Sequence, residues 1–83
     1  MSYQVTLAPV AVQQIQKLSP NIQLRLAMKL EELAVNPRPV EASKLMGVEE
    51  LYKISVDEYR LIYQIQDETL SLTVVKTVHP RDY

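Results

Sequence analysis

Lys53, Arg60 and His79 hold most of the chemistry available to this 83-residue chain. His79 is its only histidine, and imidazole is the side chain that titrates near neutrality without help, which makes it the acid–base candidate. Lys53 and Arg60 bring permanent positive charge to strand segments that hold no acid of their own. Cysteine is absent, which excludes a disulfide scaffold and thiolate zinc sites. One imidazole is too few for a histidine metal centre. The expectation is chemistry by charge and proton transfer, with no cofactor and no metal.

The elements that must position these residues lie in the second half of the chain, where apolar side chains recur every second position. Segments 51–56, 59–66 and 69–78 read as three strands. The acidic dipeptides Asp57-Glu58 and Asp67-Glu68 separate them as two-residue hairpin loops. That loop length sets Val56 against Tyr59 and Ile54 against Leu61, then Ile65 against Leu70, Tyr63 against Leu72 and Leu61 against Val74. Every pair is apolar with apolar, and a one-residue slip would break them all. The other face of the predicted sheet then carries Lys53, Ser55, Arg60, Ile62, Gln64, Thr73, Val75 and Thr77, with His79 just beyond. By this parity Tyr52, Tyr59 and Tyr63 belong to the core.

The first half has helical periodicity. Residues 3–7 alternate as one short strand, and Pro9 opens a helix with Ala11, Ile15 and Leu18 on one face. Ser19-Pro20 is a cap followed by a first-turn proline. From there Ile22, Leu26, Leu30 and Leu33 form the stripe of a helix of about 15 residues, which Asn36-Pro37 ends. Leu24, Met28 and Val35 lie off that stripe, either filling space against the first helix or exposed for a partner. The only glycine, Gly47, suits a turn with positive φ in Lys44-Leu45-Met46-Gly47. The reading is one α+β domain over residues 1–83. It comprises an N-terminal strand, an αα-hairpin and a three-stranded antiparallel meander, with the helices on one sheet face.

Charge and hydropathy bound the partners. Nine Lys and Arg against ten Asp and Glu give a net charge of −1, a balance that by itself argues against nucleic acid. Sorted by position, the picture changes. Glu41, Glu49, Glu50, Asp57, Glu58, Asp67, Glu68 and Asp82 all fall in connections, hairpin tips or the tail, so an acidic half-chain carries a basic patch. No apolar run is long enough to span a membrane, and Met1-Ser2-Tyr3-Gln4 is unlike a secretory leader. A cytoplasmic location away from membranes is expected.

The runs Lys44-Leu-Met-Gly47, Leu51-Tyr-Lys-Ile-Ser-Val56 and Tyr59-Arg-Leu-Ile-Tyr63 resemble the RelE/ParE toxins of bacterial toxin–antitoxin modules. In those, a K-L-x-G turn leads to a Y-[KR]-[IV] strand and then a Y-R-[VLI]-[VI]-Y strand. Leu30-Glu-Glu-Leu33 followed by Asn36-Pro-Arg-Pro39 has the same look, so the resemblance spans nearly the whole chain in order. Tyr59-Arg-Leu-Ile-Tyr-Gln64 is nearer to the mRNA-cleaving RelE branch than to the gyrase-directed ParE branch.

The resemblance implies a ribosome-dependent mRNA endoribonuclease that works without a metal and is neutralised by a cognate antitoxin. It implies Lys53, Arg60, His79, Arg81 and Tyr83 as the catalytic set, with Lys44, Lys53 and Arg60 on the RNA and Leu24 and Met28 under the antitoxin. Two departures stand out: Ser55 replaces a second basic residue, and Pro80 falls where an arginine is common. A ParE-like gyrase poison and a catalytically silent binding or co-repressor module stay open beside the nuclease.

Overall fold

The computed structural model describes residues 2–45, 50–79 and 81. The chain runs β1 (Gln4–Leu7), α1 (Pro9–Gln16), α2 (Pro20–Val35), β2 (Ser43–Lys44), β3 (Leu51–Val56), β4 (Tyr59–Gln66) and β5 (Ser71–Val78). The strands form one five-stranded sheet in the order β1-β5-β4-β3-β2. Strands β2 to β5 pair antiparallel, and β1 runs parallel to β5 at the edge. The α+β architecture is the one expected, with β2 as an addition. A two-residue strand is too short to leave a periodic signal in sequence.

Both helices begin as their residues dictate. Pro9 occupies the first turn of α1, and the Ser19 hydroxyl accepts from the Ile22 amide at 3.4 Å ahead of Pro20. Asn36 leaves the helix in an extended conformation, its N–H still donating to the Glu32 carbonyl. Leu26 and Leu33 of α2 and Ala11 of α1 bury fully against Tyr52, Ile54, Val56, Leu61, Tyr63, Ile65, Leu72 and Val74. Both helices therefore cover one face of the sheet, and among the described residues no helix covers the other. Tyr52 and Tyr63 are core residues as expected; Tyr59 is half-buried.

The first hairpin has the expected register, Val56 opposite Tyr59 and Ile54 opposite Leu61. Asp57 takes a positive φ of 55° in its two-residue loop, a geometry that aspartate tolerates better than most residues. The second hairpin differs. Its loop is four residues, 67–70, with Leu70 at φ 51°, so Ile65 pairs with Leu72 and Tyr63 with Val74 rather than with Leu70 and Leu72. A shift of two keeps parity, which is why Leu72 and Val74 still face the core.

A β-bulge then breaks parity. The register slips between Ile62 and Tyr63, leaving Val75 as the extra residue of β5. Beyond it Ile62 pairs with Lys76, Leu61 with Thr77 and Arg60 with Val78. Thr77, expected on the open face, instead points to the helices and is 6% exposed. Lys76 takes the place expected for it. Gln14 of α1 locks the bulged end, its Oε1 accepting from the Thr77 amide at 2.7 Å and from its hydroxyl at 3.3 Å.

Candidate nucleic-acid interface

The open face is built from alternate residues of all five strands. Ser43 opposes Lys53, Lys53 opposes Ile62, and Ile62 opposes Lys76. In the next row Ser55 opposes Arg60, which opposes Val78. Gln64 and Thr73 continue the face toward Thr6, whose hydroxyl hydrogen-bonds that of Thr73 at 3.1 Å. Lys53 and Lys76 are exposed and Arg60 is half-buried. The strand registers place no Asp or Glu on this face among the described residues.

The acids are spent on the helix side and the tips. Asp57 pairs with Arg25 at 2.6 Å. Lys29 bridges Glu32 and Glu41 at 3.1 and 3.8 Å, and Glu50 takes Lys44 and Arg38 at 3.2 and 3.3 Å. Among the described residues, Lys53, Arg60 and Lys76 have no ion pair. A chain of net charge −1 thus presents one face of uncompensated positive charge, suited to a polyanion.

Lys44 does not join that face. It pairs in register with Tyr52, a core-side residue, and its ammonium sits on Glu50. The expected RNA contact is therefore a neutralised cation on the helix side, because β2 enters the sheet with Ser43 rather than Lys44 facing outward.

His79 lies one residue past β5 on the parity of Thr77, not that of Arg60. Its ring meets Tyr59 edge-on at 5.1 Å and lines a cavity of about 270 Å³ with Gln14, Lys17, Leu18, Tyr59 and Thr77. The Arg81 amide donates to Nδ1 at 3.2 Å, which requires an unprotonated Nδ1. Nε2 then carries the hydrogen and donates to the Glu58 carboxylate at 3.1 Å. Both ring nitrogens are engaged, so His79 ties Arg81 and the first hairpin tip together at the sheet's end. Tyr83, Pro80 and Gly47 lie outside the described residues.

Arg38 is the connection residue that composition alone did not single out. Its Nε donates to the Tyr52 hydroxyl at 2.9 Å, and its two terminal nitrogens reach Asp67 at 3.1 and 2.8 Å. The guanidinium lies 5.4 Å over the Tyr52 ring. Asp67 also accepts from the Tyr3 phenol at 2.6 Å. These bonds hold the Asp67 carboxyl below the usual range, Arg38 first and Tyr3 second. Lys44, then Arg38, does the same to Glu50. The network pins linker 36–42 to the sheet. Its signal in sequence is the rigid Pro37-Arg38-Pro39 frame.

On α2, Leu24, Met28 and Val35 stay 61%, 57% and 70% exposed. Met28 and Val35 line a shallow depression of about 560 Å³ with Glu31 and Glu32. They are surface, not core.

Comparison with known proteins follows the same lines. The family model described as the ParE toxin of the type II toxin–antitoxin system, parDE, matches residues 5–82. A putative RelE-like toxin protein of Escherichia coli is 39% identical over 77 residues, covering 90% of this chain and 80% of the relative. The mRNA interferase toxin RelE of E. coli strain K12 is 35% identical over the same extents. The archaeal RelE–RelB complex from Pyrococcus horikoshii contains a chain with a TM-score of 0.87 at 25% identity, covering 95% of this chain and 96% of that one. The isolated E. coli RelE toxin gives 0.82 at 30% identity, covering 94% and 84%. Sequence and topology agree: this chain belongs to the RelE/ParE superfamily of type II toxin–antitoxin toxins.

Proposed function

We propose that the chain is the toxin of a type II toxin–antitoxin module and cleaves mRNA on the ribosome, inhibiting translation until a cognate antitoxin binds it. The observation that carries this reading is the sorting of charge. On the helix side Arg25, Lys29, Arg38 and Lys44 are paired with acids, whereas among the described residues Lys53, Arg60 and Lys76 have no ion pair and share a face on which the strand registers place no acid. The names of the relatives, an mRNA interferase among them, support RNA as that polyanion.

The chemistry needs no metal. The 2′-oxygen of the RNA attacks the adjacent phosphorus while the bond from phosphorus to the 5′-oxygen breaks. The 2′-hydroxyl proton goes to a base and the 5′-oxygen gains a proton, leaving a 2′,3′-cyclic phosphate and a 5′-hydroxyl. Arg60 suits the phosphate, since its planar fork donates two parallel N–H bonds to two oxygens. Lys53, diagonal to it across β3 and β4 at roughly 7–8 Å, is a second phosphate contact or the proton-transfer group. Arg81, its amide bonded to His79, is a further cation just past the end of β5. So few acid–base groups leave much of the rate to positioning of the mRNA by the ribosome. Cytoplasmic action follows from that substrate; among the described residues no helix is long and apolar enough to cross a membrane.

Leu24, Met28 and Val35 form the exposed strip on which a helical or extended antitoxin segment would land. Structures of RelE–RelB complexes support a partner of this kind.

Expression of the chain alone is expected to arrest growth, with mRNA ends at fixed codon positions that carry 5′-hydroxyls; Arg60→Ala relieves the arrest. DNA damage without such cuts would replace this reading with gyrase poisoning, and no effect on either would leave a silent binding module.

A further inference from the structure

Strict alternation along β5 would have buried Lys76; the bulge at Val75 turns it outward instead. Lys53 and Lys76 are the two cross-strand neighbours of Ile62, one on β3 and one on β5. Two strand spacings separate them, about 10 Å between backbones. Arg60 lies two residues from Ile62 along β4 on the same face, about 7 Å away. Three cations therefore surround one isoleucine.

Ile62 is only 8% exposed although the helices lie on the opposite face. Lys53 and Lys76 flank it across the two neighbouring strands on the same face, and lysine stems lie along apolar surface while keeping their ammonium groups in water. Like charges gathered on one face repel, and among the described residues no Asp or Glu on that face relieves them. A bound string of phosphates does.

We infer that Lys76 is a third phosphate contact for RNA, with Lys53 and Lys76 engaging backbone phosphates on either side of the one Arg60 clamps. This rests on the RNA reading above and adds to it a residue placed by a backbone irregularity. Lys76 supplies from β5 the charge that Ser55, opposite Arg60, does not supply from β3.

The purified chain is titrated with a single-stranded RNA made uncleavable by 2′-O-methylation, at several salt concentrations. Lys76→Ala is expected to weaken binding and to flatten the slope of log affinity against log salt by about 0.7, the value for one lost single-strand phosphate contact. Lys76→Arg restores both, and Lys29→Ala, on the helix side, changes neither. Circular dichroism of each variant matches wild type. In a ribosome-programmed cleavage assay Lys76→Ala loses activity in step with affinity. An unchanged slope overturns the role of Lys76; if the wild-type chain still cuts mRNA, the proposed function stands without it. A wild-type chain that neither binds the RNA nor cuts mRNA overturns both.

Discussion

Arg38 grips Asp67 with both terminal nitrogens, at 3.1 and 2.8 Å, across 29 residues of sequence. The contact closes the αβ connection onto the second hairpin tip, and Tyr3, Tyr52 and Glu50 join it. A cation between two prolines is stiff before it binds, so less freedom is lost in forming the clamp. The clamp also removes Asp67 and Glu50 as free negative charges that would weaken an RNA-binding surface.

Acid should therefore loosen this connection. Asp67 and Glu50 titrate below their ordinary values in the folded chain, so the unfolded chain takes up their protons first. Their contribution is complete above about pH 5 and is lost as pH falls through about 4 and below. Arg38→Gln is expected to lower the urea midpoint at pH 6 and to flatten its fall between pH 5 and pH 2.5. Parallel acid profiles for the two proteins would show that the clamp contributes nothing.

Tyr63 gives a second linker test from inside the core. Its phenol is fully buried and donates to the Pro37 carbonyl at 2.8 Å, and burial pushes its pKa up to about 12. Tyr63→Phe leaves that carbonyl without its donor and is expected to cost about 1–2 kcal/mol, or a Tm drop of roughly 5–15 °C. The sign is opposite to that of the acids. The contribution is complete below about pH 10 and is lost as pH rises through 12, so alkaline unfolding of the variant starts from a lower plateau with a shallower slope.

Most of this fold was legible because local signals agreed. Ser19-Pro20 marked the start of α2, Asn36-Pro37 its end, and Asp57-Glu58 a two-residue loop between strands whose apolar pairs match. The second hairpin carried a look-alike dipeptide, Asp67-Glu68, but Thr69 and Leu70 belong to its turn, with Leu70 in a left-handed conformation its side chain does nothing to advertise. The bulge had one available signal. Unbroken alternation from Leu72 and Val74 drives Lys76 into the core with no acid to meet it, a cost that an irregularity avoids. Face assignments for Lys53 and Arg60 survived because β3 and β4 are regular there; those for Thr77 and His79 turned on a single extra residue. Lys44 lies off the open face because the two-residue β2 turns Ser43 rather than Lys44 outward.

His79 is expected to position rather than to transfer protons, since both ring nitrogens are engaged. A general acid or base contributes about 10²–10⁴-fold. His79→Ala should instead lower cleavage by less than tenfold and leave the shape of the pH–rate profile between pH 5.5 and 8.5 intact. Disappearance of an inflection in that profile would return His79 to proton transfer.

Met28→Glu and Leu24→Glu test the antitoxin strip. Both side chains are mostly solvated, so the substitutions are expected to shift stability by no more than about 0.5 kcal/mol. A charge set into an apolar landing strip beside Glu31 and Glu32 should weaken antitoxin binding at least tenfold, measured by calorimetry, while mRNA cleavage by the free chain is unchanged. Wild-type antitoxin affinity in both variants would move the partner elsewhere.

Ser55→Lys is the gain-of-function counterpart. Ser55 is exposed, opposes Arg60 directly and shares β3 with Lys53, so a lysine there adds a cation to the open face without disturbing a buried contact. Closer packing of like charge lowers the stability of the free chain slightly and raises its affinity for a polyanion. Binding to uncleavable single-stranded RNA should strengthen most at low salt, with the salt slope steeper by about 0.7. The same substitution should also restore RNA affinity to Lys76→Ala, because the lost and the added charge both flank Arg60, one from β5 and one from β3. A lysine at Ser55 that leaves the slope unchanged would mean that RNA approaches this face from the β5 side alone, with β3 beyond its reach.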